Sequence, residues 1–313
     1  SIQLKDLSVL EFNDTDQTVR NLEGDKGTRL VLGSGSITAN ITTDKTFSGT
    51  ISSTGNLTKK GSGTWTLDPF VFDDQTDEFN QSSNSYTGKT IIKEGTLQLA
   101  TEDAIPETSL VDVRNGASLT APDIDLNLPT IKSEKDGGTI DIGSGALSVD
   151  QASDETFYGD ITATGGLKKD GDKPLRLGGN NQLGTGTIEV NDGLLSVVRL
   201  ESLGDTSGVS LKRASAGFGF TNSDDLSFGG NVKGPGFFQK DGPGALTITD
   251  QLGYSGDTIV NEGILIFEDG VDVPEAGLEI NGGTLQALDR DLTIKGLSGT
   301  GGGEVLLRNG KLT

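Results

Sequence analysis

A chain of 313 residues with a formal charge of −21 is repelled by nucleic acid and by anionic membrane surfaces, so neither is an expected partner. It contains no Cys, His or Met, which excludes disulfides, thiolate or imidazole zinc sites, and Ser-His-Asp or Cys-His nucleophiles. Glycine supplies 47 residues and aromatics only 5%, a balance suited to many short strands separated by turns. The charge suits the solubility of a long β body. Calcium among surface Asp residues is the specific alternative, but no EF-hand or RTX-type loop occurs, and no metal or cofactor is expected.

In chain order, the opening runs Ile2-Gln-Leu4, Val9-Leu-Glu-Phe12 and Val19-Arg-Asn-Leu22 are short and apolar. A longer unit begins at Phe47 and continues through Gly49, Ile51, Gly55, Leu57, Lys60, Gly61, Gly63, Trp65 and Leu67. Its second half is Tyr86, Gly88, Thr90, Ile92, Gly95, Leu97 and Leu99. The same pattern returns from Phe157 to Leu177, and its second half from Gly184 to Val197. A third copy runs from Phe228 to Phe267. Apolar positions fall two apart, the period of a strand, and no long stretch has helical spacing. Copies at 47–99, 157–197 and 228–267 make this a repeat protein. Coil-sized motifs that keep their inward Leu, Ile, Val and Phe favour stacked windings over a sandwich. The expectation is an all-β, right-handed parallel β-helix forming a single body over 1–313. No signal peptide or transmembrane run is visible, and a start at Ser1 without Met suggests a fragment of something longer.

The three copies resemble the passenger-associated transport repeat of bacterial autotransporters (type V secretion). That motif reads Phe-x-Gly-x-Ile, Gly-x-Leu-x-Lys-x-Gly-x-Gly, Leu-x-Leu, Tyr-x-Gly-x-Thr, Gly-x-Leu-x-Leu. The middle copy departs from it, with Gly184 in place of Tyr86 and Tyr254, and Lys173 in place of Gly63 and Gly244. The resemblance implies a β-helix exported through periplasm and outer membrane by a β-barrel that is absent from this sequence. It further implies display on, or release from, the cell surface.

Signals for catalysis are weak. Tyr86-Thr-Gly88-Lys89-Thr90 ends like a P-loop, but position 83 is Ser where the first glycine belongs. Asp73/Asp74, Asp224/Asp225 and Asp289/Asp291 are acidic pairs of the kind a polysaccharide-acting enzyme uses. Neighbours in a strand point to opposite faces, however, and solvated turn charges explain the pairs as well. No catalytic residue is assigned.

The copies differ most between their halves: 18 residues separate Leu67 from Tyr86, against 5 between Ile248 and Tyr254. The excess, 68–85, reads as a surface loop, and loops on a rigid scaffold are where binding residues collect. Phe70, Phe72 and Phe79, beside Asp73, Asp74, Asp77 and Glu78, form the candidate contact patch. Alternatively those aromatics fold back on the flank of the helix or form a short hairpin. Phe47, Trp65, Phe157 and Phe228 read as stacked core. Lys60, Lys169 and Lys240 read as strand-edge cations or Asp partners. The expected role is adhesion, with a host surface, a matrix component or a second copy in trans as partner. A stalk that aids secretion and presents another domain is the alternative.

Overall fold

The computed structural model describes residues 1–107, 109–204 and 207–313. Among these are forty short strands, two short 3-10 helices and no α-helix. The fold is an all-β parallel β-solenoid. It divides into two compact units, residues 1–150 with 155–165, and residues 151–154 with 166–313.

Most strands of the first unit fall in three parallel sheets that the chain visits in rotation. The first sheet stacks Ile2–Leu4, Leu22–Gly24, Lys45–Phe47, Thr64–Leu67, Gly95–Leu99, Ala117–Thr120, Thr139–Asp141 and Asp160–Thr162. The second stacks Val9–Glu11, Arg29–Val31, Thr50–Ser53 and Ser85–Tyr86. The third runs from Gln17–Arg20 through Ile37–Asn40, Leu57–Lys60, Thr90–Ile92 and Val111–Val113 to Ile131–Lys132. Ile2 lies beside Leu22 and Gln17 beside Ile37, so one winding takes about twenty residues. In-register pairing converts the alternation of each strand into inward columns. Trp65, Leu97, Leu119, Ile140 and Ile161 share one column and are wholly buried.

The second unit repeats the device. One of its sheets carries Leu175–Leu177, Gly193–Val197, Ala216–Thr221, Phe237–Asp241, Thr258–Val260, Gly277–Ile280 and Gly296–Ser298. Its core holds an aromatic cluster: Phe220 lies 5.0 Å from Phe228 and 5.3 Å from Phe218, and Phe238 stacks on Tyr254 at 5.6 Å. Phe47 and Phe157 are fully buried and Phe228 is 5% exposed.

Turns are tied to the next winding by carboxylates. Asp14 accepts the Ser34 N–H at 2.7 Å, Asp44 that of Thr64 at 2.8 Å, and Asp125 that of Ala146 at 2.8 Å. Asp225 does the same for Ala245 and Asp291 for Lys311. The Ser144 hydroxyl, and then its backbone N–H, hold Asp123 below the ordinary carboxylate range. Part of the acidity is therefore turn architecture: an ionised Asp only accepts hydrogen bonds, and orphan turn N–H groups need acceptors.

Phe47 sets one glycine. Gly24 pairs with it in the ladder, and a Cβ at Gly24 would lie 2.7 Å from both the Phe47 ring and the Thr28 hydroxyl. Gly24→Ala should therefore cost about 1–3 kcal/mol of stability through overpacking. The double variant Gly24→Ala/Phe47→Leu should recover part of the loss, because the smaller side chain vacates that space; urea titration checks both.

Candidate functional site

Two features stand apart from generic solenoid packing: the conserved-spacing polar groups inside the repeats, and the 68–85 insertion. Inside the repeats, Lys59, Lys169 and Lys240 are buried to 1%, 0% and 0% exposure. Lys59 Nζ donates to the carbonyls of Lys60 at 3.1 Å, Gly61 at 2.7 Å and Glu94 at 2.9 Å. Lys169 reaches Asp170, Gly171 and Asp192 in the same way. Lys240 reaches Asp241, Gly242 and Glu262. Each ammonium, with three donors, meets three turn carbonyls drawn from two successive windings. Gly95 and Gly263 close the clasps at positive φ; a Cβ on either would sit 2.9 Å from the lysine nitrogen.

This corrects the sequence reading in two respects. The repeat lysine of the first copy is Lys59, while Lys60 is its half-exposed neighbour, and the three side chains are interior rather than at strand edges. The signal was present: Leu57-Thr-Lys59, Leu167-Lys-Lys169 and Phe238-Gln-Lys240 alternate, so the lysine shares the inward face. Burial lowers the Lys59 and Lys240 ammonium groups to about 8, against the opposing pull of Glu94 and Asp44 on the first and of Asp241 and Glu262 on the second.

A second polar pair marks the repeats. The Tyr86 hydroxyl lies 2.7 Å from Thr90 Oγ1, and that of Tyr254 lies 2.6 Å from Thr258 Oγ1. Both tyrosines are buried, which pushes their phenols well above the usual range despite the Thr hydrogen bonds. In the middle copy Gly184 and Ile188 stand at these two positions. Donor and acceptor are lost together, so neither is left unsatisfied in the interior.

The insertion forms an antiparallel hairpin, Phe70–Asp73 against Glu78–Gln81, with Phe72 opposite Phe79 and Asp73 opposite Glu78. Its root is held by the Asp68 N–H on the Phe47 carbonyl (3.0 Å) and the Phe70 N–H on that of Ser48 (3.1 Å). A two-stranded ribbon is marginal alone, and this one leans on the first windings. Lys26 Nζ stands 3.5 Å over the Phe70 ring, and the Phe72 and Phe79 rings lie 5.2 Å apart. Leu7, Phe79 and Phe72 crowd around Gly27, where a Cβ would lie 2.5, 2.8 and 3.4 Å from them. Phe70 and Phe72 are half-buried, as is Asp73, whereas Asp74, Asp77, Glu78 and Phe79 are exposed. A cleft of about 500 Å³ remains between Phe79 and Asp6, Leu7, Asp25 and Lys26. Leu7, Lys26 and Gly27 carry no sequence signal for this role, since only the winding brings them to the hairpin.

At least one member of each acidic pair is engaged in a turn. Asp73 accepts the Gln75 N–H and Asp225 that of Ala245, while Asp289 bonds Arg308 and Asn309 and Asp291 bonds Lys311. Among the described residues, no group of three or more acidic side chains is placed to hold a metal ion.

These features define a repeat scaffold whose variable element is a surface hairpin. Residues 57–99 and 238–267 match the passenger-associated-transport-repeat family, and these are the two stretches that keep both Tyr and Thr. The chain is also similar to the adhesin BmaC autotransporter of Brucella suis biovar 1 (strain 1330), at 32% identity over 257 residues. That alignment covers 77% of this chain and 7% of the length of that relative. No solved structure matches. The repeat match and this similarity together support an autotransporter passenger domain. Passengers of that class are surface-displayed or secreted through the outer membrane.

Two outcomes are expected of the clasps and the tyrosines. Lys240→Met should cost about 1–3 kcal/mol in urea titration, the penalty for a stranded buried acceptor. Between about pH 8 and 10.5 the unfolded chain keeps lysine protons that the folded chain has released, so stability should rise across that window. Above the ordinary phenol value of 10.0 the raised tyrosines act oppositely, and stability should fall. The urea midpoint should therefore climb from pH 8 and turn down beyond 10, and Lys59→Met/Lys240→Met should remove the climb.

Proposed function

We propose that this chain is a non-catalytic, surface-displayed passenger acting in adhesion, with the hairpin 70–81 as its contact element. The observation carrying this reading is the hairpin itself: it is built on one repeat only, rooted in the solenoid, and keeps Phe79 45% exposed beside acidic residues. Exposed aromatics on a rigid base are the anchors that dominate protein contacts. Similarity to a protein named an adhesin supports the same direction. The contact is with a host surface, a matrix component or a copy of this chain on a neighbouring cell. Beads coated with the chain should bind host cells or clump, and a variant with 68–85 shortened to the spacing of the third copy should do neither. Equal binding and clumping by both would remove the hairpin from the function.

A second reading rests on the repeats rather than the hairpin. Each buried lysine bonds carbonyls of its own winding and of the next. A winding can thus complete its polar contacts as soon as its neighbour forms, which suits folding unit by unit during export and a supporting role for another domain. Deleting 228–267 from the full-length protein should lower the amount reaching the surface; unchanged surface yield on immunoblots of intact cells would count against it.

A further inference from the structure

The cleft between hairpin and solenoid suits one kind of occupant. Its apolar lips are Leu7 and Phe79, 43% and 45% exposed. Leu7 is held out by a left-handed backbone (φ 57°), a conformation bulky side chains rarely adopt. Gly27, behind them, lets both side chains pack close because it has no side chain of its own. The rest of the rim, Lys26 apart, is acidic. Asp6 and Asp25 line the cleft, and Asp73, Asp74, Asp77 and Glu78 crowd the adjoining hairpin tip. Asp73 and Glu78 face each other across the ribbon, a like-charge pairing that costs stability.

Among the described residues, none of these six carboxylates takes part in an ion pair. Among the described residues, the cation lining the cleft is Lys26, which sits over the Phe70 ring. The patch is thus an apolar slot with a net negative rim, on a chain whose net charge is already −21. A second copy of this chain would bring like charge against like, as would a polyanionic glycan or an anionic lipid surface.

We propose that the cleft receives a basic segment of another protein, an apolar side chain flanked by Lys or Arg. The apolar group enters between Leu7 and Phe79. The flanking cations meet the Asp6/Asp25 wall and the hairpin carboxylates, and a guanidinium can also lie over the exposed Phe79 ring. This rests on the hairpin being the contact element, and it narrows the partners named above to a cationic protein.

The test uses the whole 313-residue chain and a labelled peptide carrying one Phe flanked by arginines, followed by fluorescence anisotropy at about 50 mM salt, where surface charges are weakly screened. Phe79→Ser and, separately, Asp73→Asn/Asp77→Asn/Glu78→Gln should each weaken binding by about tenfold or more, the scale of a contact anchor. The same peptide with Glu for Arg should not bind, and added salt should weaken the Arg peptide. Equal affinity of wild type and both variants, or equal binding of the Glu peptide, overturns the proposal. Should a variant fail to fold by circular dichroism, a photo-crosslinking form of the peptide on the wild-type chain decides: adducts on Asp6–Leu7, Lys26 or 70–81 support it, and adducts confined elsewhere overturn it. Adding the Arg peptide to the bead assay separates the two ideas. If hairpin-shortened beads lose adhesion but the peptide does not compete with the wild type, the basic-segment proposal fails while the hairpin reading stands.

Discussion

Parallel stacking in register obliges every inward side chain to lie on the like position of the winding before and after it. Apolar columns satisfy that condition cheaply, as Trp65, Leu97, Leu119, Ile140 and Ile161 do. The turns are harder, because backbone carbonyls curl inward where the chain leaves a strand and water cannot reach them. The buried lysines answer this. One ammonium bonds carbonyls of two windings at once, so it fixes the turn and the stacking distance together. Gly95 and Gly263 follow in the next winding, since a side chain at either would strike turn carbonyl oxygens and then the ammonium.

The same logic runs on the outside with the sign reversed. Turn N–H groups are met by Asp and Asn oxygens of the preceding winding, at Asp14, Asp44, Asp123 and Asp225 among others. A chain of this construction is acidic for structural reasons as well as for solubility. Substituting these residues by Lys would remove the acceptor and not merely shift the charge.

The proposed contact element, by contrast, lies where the repeat is broken. The hairpin 70–81 occurs in one copy, carries the densest acidic and aromatic mixture, and depends for its posture on residues more than forty positions earlier, Leu7, Lys26 and Gly27. The solenoid supplies rigidity, and the insertion supplies the individual surface.

Period-two alternation and recurring glycines were enough, from the residues alone, to determine a parallel β-solenoid, because each inward position repeats chemically when windings stack. They also carried the transport-repeat motif, whose order of some fifteen positions is specific. The inward direction of the repeat lysines was legible in Leu57-Thr-Lys59, yet the strong prior that Lys belongs outside hides it; only the closure of two turns around one nitrogen shows what compensates the burial. The pairing of Tyr86 with Thr90 needed coordinates, since their hydroxyls meet across a corner rather than along a strand. The cleft beside Phe79 was out of reach of any sequence reading, because its two walls come from distant windings and meet only when the chain is wound.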